Sequence, residues 1–420
     1  MLSEELIDKV VERLVRRIEQ GNEYVLKEIG ESIKEFGTLT PSQAQELAQI
    51  LKYGGRYDKI VKRLAEITEL NVKDIYKIFE EVAKNDYRFA KQFYEYKSIK
   101  YIPYEQNEAL KRQIEALAEI TAKQYVNISK TRAFARVVNG KIRYTSLAET
   151  YQDVIDEAIL NVGQGKQNFD SAMRKTIKQL GDSGVKVINE ETGEDIVTYG
   201  TGRYMRMDSA IRMNLKGGLT HMHEEMQKQI GNEFDANGVE ISVHFNPAPD
   251  HQEAQGKQFS NEEYEKLQET GVATSYDGEE IDMHLELASG ESSLSHRPIG
   301  EYNCYHYTFA IVLGVSKPNY SNKELKDIIE QNQKGFEFDG VHYTNYQGTQ
   351  LQRRIETEIR KTKDTLAIAE ASDIQEEVIS SKKRLKMLNK KYQDLSRASG
   401  LKMKYDRLRW FAQIYILCYT

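Results

Sequence analysis

Cysteine, proline and tryptophan are scarce in this 420-residue chain, which has two, six and one of them. Cys304 and Cys418 lie far apart and in different contexts, so no disulfide framework is indicated and synthesis in a reducing cytoplasm fits best. Long apolar runs are also missing. The start, MLSEELIDKVVERLVRRIEQ, threads charges through its apolar positions, unlike a signal peptide, and the final WFAQIYILCYT is too short to span a bilayer. The expectation is a soluble protein with no membrane partner. Nor is there an excess of positive charge. Against 59 Lys and Arg stand 65 Asp and Glu, a net charge of −6, which argues against a general coat for nucleic acid and leaves room only for local basic patches.

What is abundant is charge of both signs, 30% of residues, with a mean hydropathy of −0.65. That is the composition of extensive solvated surface, as long helices provide. Leu6, Val10, Leu14 and Ile18, then Val25, Ile29, Ile33 and Phe36, keep helical spacing until Gly37. Thr40-Pro41-Ser42-Gln43 is a capping box with proline at the first helical position. Helices are predicted over about 41–53, 57–68 and 72–84, the last begun by Asn71. Asn139-Gly140 between β-prone residues predicts a hairpin, Thr145 or Ser146 starts a helix to Leu160, and another covers about 169–180. VKVINEETGEDIVTY (185–199) is a second candidate hairpin. A helix from Met207 to Ile230, interrupted at Gly217-Gly218, leads into the central stretch.

Two segments mix basic residues with features that suit nucleic acid. Between Asp86 and Tyr104, Tyr87, Phe89, Phe93, Tyr94, Tyr96, Tyr101 and Tyr104 alternate with Arg88, Lys91, Lys97 and Lys100. Aromatics among lysines can stack on single strands, although a helical packing face with a solvated flank is the simpler reading. Lys130, Arg132, Arg136, Lys141 and Arg143 surround the Asn139-Gly140 turn.

The chemistry concentrates in 239–316, which holds five of the eight histidines, one of the two cysteines and three of the six prolines. VEISVHF and YTFAIVLGV read as strands, and the excursion between them as loops with a short helix near 260–269. His244 and His251 could converge with Cys304 and His306, because neutral imidazoles and a thiolate suit zinc and four such ligands would close a structural site. The spacing Cys304-x-His306 matches no standard zinc signature, and His296 is a further candidate. A Cys304 nucleophile with His306 or His296 as base, oriented by Asp250 and His251, is the hydrolytic alternative, without a G-x-S-x-G, H-E-x-x-H or P-loop pattern behind it. Convergence on an open, ligand-sized pocket would favour that alternative; a closed arrangement favours structure. His221 and His223 stand two apart, on different faces of a helix, and make no metalloprotease pair.

PDHQEAQGKQFS (249–260) and RPIGEYNCYHYTFAIVLGVSKPNYS (297–321) resemble the H-x-x-x-Q-G-K and N-C-x-H signatures of the phage minor capsid protein 2 family, relatives of the Mu F-like minor head proteins. RYMRMDSAIRMNLKGG (203–218), QLQRRIETEIRKTKD (350–364) and ASGLKMKYDRLR (398–409) resemble that family as well. The matching positions are His244, His251, Gln255, Gly256, Lys257, Asn303, Cys304 and His306. Relatives often carry further cysteines in these loops, where this chain has only Cys304, and its apolar finish is also a departure. The resemblance implies a virion protein of the phage head, assembled in the host cytoplasm. It would be present in few copies near the portal, contacting portal and capsid subunits and, through basic segments, packaged DNA. A relation of the Mu F-like domain to ADP-ribosyltransferase folds implies an enzymatic alternative, for which Glu356-x-Glu358 has suitable spacing, although on a predicted long helix the pair reads more simply as a solvated face.

After Pro318 a helix to Gln333, a hairpin at Asp339-Gly340 and two long helices divided at Ala371-Ser372-Asp373 are expected, the second with heptad-like Leu385, Leu388, Tyr392 and Leu395 as in a coiled coil. Lys382, Lys383, Arg384, Lys386, Lys390 and Lys391 form a basic strip on it, and Trp410, Phe411, Ile414 and Ile416 an apolar tail that needs covering. The predicted fold is predominantly helical α+β. It has a helical N-terminal region (1–145), a central α+β Mu F-like module with its leading helices (146–320), and a C-terminal helical arm (321–420) that either docks on another subunit or folds back on the N-terminal helices.

Overall fold

The apolar stripe of the first segment folds as one helix, α1 (Glu4–Phe36), with Leu14, Ile18, Leu26, Ile29, Ile33 and Phe36 all buried. The computed structural model describes residues 4–44, 47, 56–96, 99–138, 141–162, 165–187, 205–285, 296–301, 304 and 306–408. Thr40 and Gln43 form their capping box, Thr40 N–H donating to Gln43 Oε1 at 3.0 Å, and residues 41–44 are helical; the rest of that predicted helix lies largely outside the described residues.

The next two predicted helices are one, α2 (Arg56–Tyr96). Asn71 does not cap a helix. Its buried amide donates to Leu14 O of α1 at 3.2 Å and to Tyr125 Oη at 3.1 Å, so a residue with a helix-start signature serves as a polar bridge between helices. Tyr125 belongs to α3 (Glu108–Lys130), begun by Asn107, which accepts from Leu110 N–H. Tyr87 and Tyr94, near the end of α2, pack inward. Tyr87 stacks on Tyr101 with ring centroids 5.3 Å apart, and Tyr94 meets Phe234 edge-on at 4.7 Å, so these rings are not a stacking platform for bases.

The hairpin predicted around Asn139-Gly140 forms from β1 (Arg132–Val138) and β2 (Lys141–Ser146), with β3 (Lys186–Val187) on the other side of β1. Its turn residues, and nearly all of the second predicted hairpin, lie outside the described residues. Arg132 and Arg136 are buried rather than offered to a polyanion, Arg136 reaching Asp153 and Glu157. Ser146 and Glu149 cap α4 (Leu147–Val162) reciprocally, and α5 (Lys166–Ser183) follows. Gly217-Gly218 does not interrupt α6 (Met207–Glu233). A Cβ at Gly218 would overlap Thr121, so the glycine marks close approach of α6 to α3.

In the central stretch β4 (Gly238–Ile241) pairs antiparallel with both β5 (Gln258–Ser260) and β8 (Thr308–Ile311). A helix, α7 (Asn261–Thr270), and a hairpin of β6 (Val272–Thr274) and β7 (Glu280–Asp282) complete it. Both predicted strands are shorter than their apolar runs. β8 ends where Ser316 N–H turns back to Val312 O at 2.8 Å, with Gly314 at φ 78°. Then α8 (Asn322–Lys334) opens with the Ser321/Glu324 capping box, and β9 (Phe336–Phe338) and β10 (Val341–Tyr343) turn at Asp339-Gly340, both at positive φ. Asp373, in the left-handed region, separates α9 (Asn345–Ser372) from α10 (Gln375–Ser399).

α9 packs against α1, α5 and α10, so the C-terminal helices fold back on the N-terminal ones. One core unites residues of α1 to α6 with Leu366, Ile368 and Ala369 of α9 and Val378 of α10. Phe338, Ile359, Tyr392 and Leu395 form a satellite core, and the central sheet keeps a small one of its own around Ile241, Phe259, Leu267 and Ile281. Among the described residues no helix is long and apolar enough to cross a membrane.

The large core is crossed by charge. Asp208, at the start of α6 and 1% exposed, accepts from Arg206 Nε at 3.1 Å and from Arg360 of α9, with Arg212 within 3.8 Å. Arg206 also binds Asp364, and Arg212 grips Glu12 of α1 with both carboxylate oxygens. Burial would raise the Asp208 carboxyl, but Arg360, Arg206 and Arg212 outweigh it and hold its pKa far below the usual range; Glu12 is lowered in the same way by Arg212. A carboxylate with a depressed native pKa adds stability above its unfolded value and loses it as pH falls towards its native value. Asp208→Asn, which takes from the buried Arg360 guanidinium its carboxylate partner while Arg206 and Arg212 keep Asp364 and Glu12, is expected to cost about 3–5 kcal/mol in urea unfolding at neutral pH. The loss of stability on acidification below about pH 4 should be shallower in the variant than in the parent; equal stability at pH 7 would refute the role of this residue.

Candidate functional site

The loop from β4 to β5 carries the H-x-x-x-Q-G-K residues, and each has a structural task. His251 is buried in a turn, its N–H donating to Ala248 O at 3.0 Å. Gln255 Oε1 accepts from the backbone N–H of His244 at 2.8 Å, which closes the loop and fixes the orientation of the amide. Gly256 sits at φ 71° where a Cβ would also overlap Leu325 and Val243, so only glycine fits without strain. Lys257 is buried with its ammonium held by Asp277, Asn322 and Glu279.

The chain returns just before β8 with Cys304 and His306. Cys304 follows a turn in which its N–H donates to Glu301 O at 2.8 Å, and Gly300, at φ 86°, packs against the Glu224 carboxylate of α6. Glu224 Oε1 is buried without a partner, and burial pushes the carboxyl up to about 7. His223, one residue earlier, is wholly buried and joins three elements, Asp86 of α2 at Nδ1 and Thr308 O of β8 at Nε2. His221 is exposed, so the two histidines point apart as their spacing requires.

Of the four expected ligands the structure gathers three. Cys304 Sγ lies 3.5 Å from His251 Nδ1 and 3.5 Å from His306 Nδ1, and donor atoms of all three residues fall within 4.8 Å of one another. His244 stands beside this group, its ring edge-on to His306 with centroids 5.7 Å apart. His296 is elsewhere, with Nε2 against Gln268 O and its ring against His284. Asn303 lies outside the described residues.

The far nitrogens of both gathered imidazoles are tied down. His251 Nε2 donates to Arg297 O at 2.7 Å, and His306 Nε2 faces Gln255 Oε1 at 3.4 Å. Arg297 is held in turn by Asp250, whose oxygens accept from Nε and Nη2 at 3.1 Å each. Burial lowers the pKa of His251 and sends that of His306 well below its ordinary value, while it raises the Cys304 thiol. Both rings are therefore neutral near pH 7, and the thiol is protonated when no cation is nearby.

Among the described residues the trio does not open onto a ligand-sized pocket. His251 and His306 are 0% and 3% exposed, and only Cys304, half-buried, reaches a narrow cleft lined by Met213, Lys216, Gly217, Thr220, Gly300 and Glu301. The Glu356-x-Glu358 pair on α9 is occupied as well. Glu356 is a buried acceptor for Tyr392 Oη at 2.7 Å, rather than part of a solvated face, and Glu358 pairs with Lys361 and Arg384.

A family model described as phage minor capsid protein 2 matches residues 2–396. No curated protein and no solved structure matches.

The raised thiol gives a direct measurement. In a Cys418→Ser background, metal-free protein should react with iodoacetamide at neutral pH at least about tenfold more slowly than a free cysteine. The rate should climb with pH beyond the point where an ordinary thiol levels off. Alkylation at the free-cysteine rate at pH 7 would show that Cys304 is neither shielded nor shifted.

Proposed function

The chain belongs to the phage minor capsid protein 2 family and is a structural component of the phage head, and from that premise we propose that it is a low-copy protein assembled beside the portal, inside the head, where it assists DNA packaging or delivery. The observation that carries this reading is the family match, which spans the N-terminal helices, the central module and both long C-terminal helices. The protein is non-enzymatic on this reading, because the thiol and imidazoles are packed against one another with both rings buried, and because Glu356 is engaged within the fold.

The surfaces available to partners are consistent with such a role. Lys382, Arg384 and Lys391 of α10 are paired with Glu370, Glu358 and Asp339, while Lys383, Lys386 and Lys390 on the same helix are exposed, and it is to these three that the proposal assigns DNA phosphates. Exposed Ile379 and Met387 lie along that helix as contacts for a head subunit. Cross-linking mass spectrometry on intact heads should join α10 to portal or capsid subunits, and Lys383→Glu with Lys386→Glu and Lys390→Glu should reduce the DNA content of particles. Normal infectivity from particles lacking the protein would sink the proposed role.

A further inference from the structure

We propose that His251 Nδ1, Cys304 Sγ and His306 Nδ1 bind one zinc ion, whose fourth position faces the cleft beside Cys304, and that this ion is the staple of the central module. The first support is distance. Zinc bonded to sulfur at about 2.3 Å and to nitrogen at about 2.0–2.1 Å in tetrahedral geometry separates sulfur from nitrogen by about 3.6 Å. Both separations observed here are 3.5 Å.

The second support is a count of protons. His251 Nε2 and His306 Nε2 face carbonyl oxygens, so each ring carries its proton there and presents a lone pair at Nδ1. Gln255 cannot be turned round to change this, since its oxygen also accepts from His244 N–H. Two lone pairs thus converge on a sulfur that owns a single proton, and that sulfur already accepts from His306 N–H at 3.4 Å. A thiol can satisfy one of them. A divalent cation satisfies both, displacing the thiol proton to solvent, and the carbonyl partners at Nε2 are those that orient metal-bound imidazoles. Mixed imidazole and thiolate ligands select zinc over magnesium or calcium.

The third support is what the ion would hold. The module has a small core, and His251 lies in the excursion after β4 while Cys304 and His306 lie in the loop entering β8. β4 and β8 are neighbours, but these loops leave the sheet, and a bond through metal joins them where little apolar surface can. Two ligands are buried and the third reaches the cleft, which gives the ion its entry and leaves the fourth position to water. His244 is not a ligand in this arrangement.

The inference is independent of the head role. The full chain, purified without chelator or reconstituted with zinc, should contain about one zinc per molecule with release of about one proton per ion bound. Cobalt(II) in its place should show thiolate-to-metal charge-transfer absorption. Cys304→Ser should reduce zinc to less than a tenth of the parent's content, whereas His244→Ala and the exposed His221→Ala should retain it. Removing zinc from the parent should speed hydrogen exchange in 238–316 and leave α1 unchanged. Absence of stoichiometric zinc and of the cobalt band in the folded parent would overturn the site. Loss of zinc in His244→Ala would overturn the open fourth position, and unchanged exchange in 238–316 would overturn the staple.

Discussion

Asp208 is the residue through which the helical body is joined. Its carboxylate is shared by Arg206 and Arg212 from its own end of α6 and by Arg360 from the middle of α9. Arg212 passes the connection to Glu12 in α1, and Lys216, one turn further on, binds Asp8. Lys404 and Arg407, beyond α10, close on Asp8 and Glu12 from the other end of the chain. Taking so many charges out of water is costly, and the arrangement holds only because each carboxylate has guanidinium or ammonium groups at bonding distance. The compensation is uneven. Burial lifts Asp364 to about 6 even with Arg206 beside it.

That constraint sets the position of the chemistry further along α6. The helix that starts at Asp208 carries His223 to Asp86 and Thr308 and places Glu224 against Gly300, next to the turn of Cys304. The central sheet is thereby fastened to the body through a buried histidine whose two nitrogens are both engaged. No pattern in the sequence distinguishes His223 from a catalytic histidine. Its partners come from residues far away in the chain, and only the fold brings them together.

Local chemistry was legible where its cause is local. Ser321 with Glu324, Thr40 with Gln43, and the positive-φ turn at Asp339-Gly340 lie where capping and turn rules put them, because all their partners are within a few residues. Asn71 and Gly217-Gly218 depart from their local signals for the complementary reason. Each carries a local break signal that is overridden across an interface, by Leu14 O and Tyr125 Oη for the amide and by Thr121 against Gly218. The tyrosines near the end of α2 illustrate the same limit. Alternation with lysine suits both a nucleic-acid platform and a packed helix face, and Phe234, from the end of α6, decides between them.

At the cluster of histidines the sequence supplied residue types but not their grouping. His244 and His251 are both within reach of Cys304 along the chain, yet β4 ends at Ile241 and the chain turns to bond Gln255, which leaves the His244 ring against the face of the cluster rather than in it. The residues that orient the trio were harder still to anticipate. The partner of His251 is a backbone carbonyl, that of Arg297, and a carbonyl leaves no trace in residue identity. Asp250 fixes that carbonyl by clamping the guanidinium of the same residue, a second step removed from the imidazole. The body and the module differ in what they bury. In the body, buried charges of both signs come from the chain itself. In the module, the chain brings two imidazole lone pairs to a sulfur with a single proton.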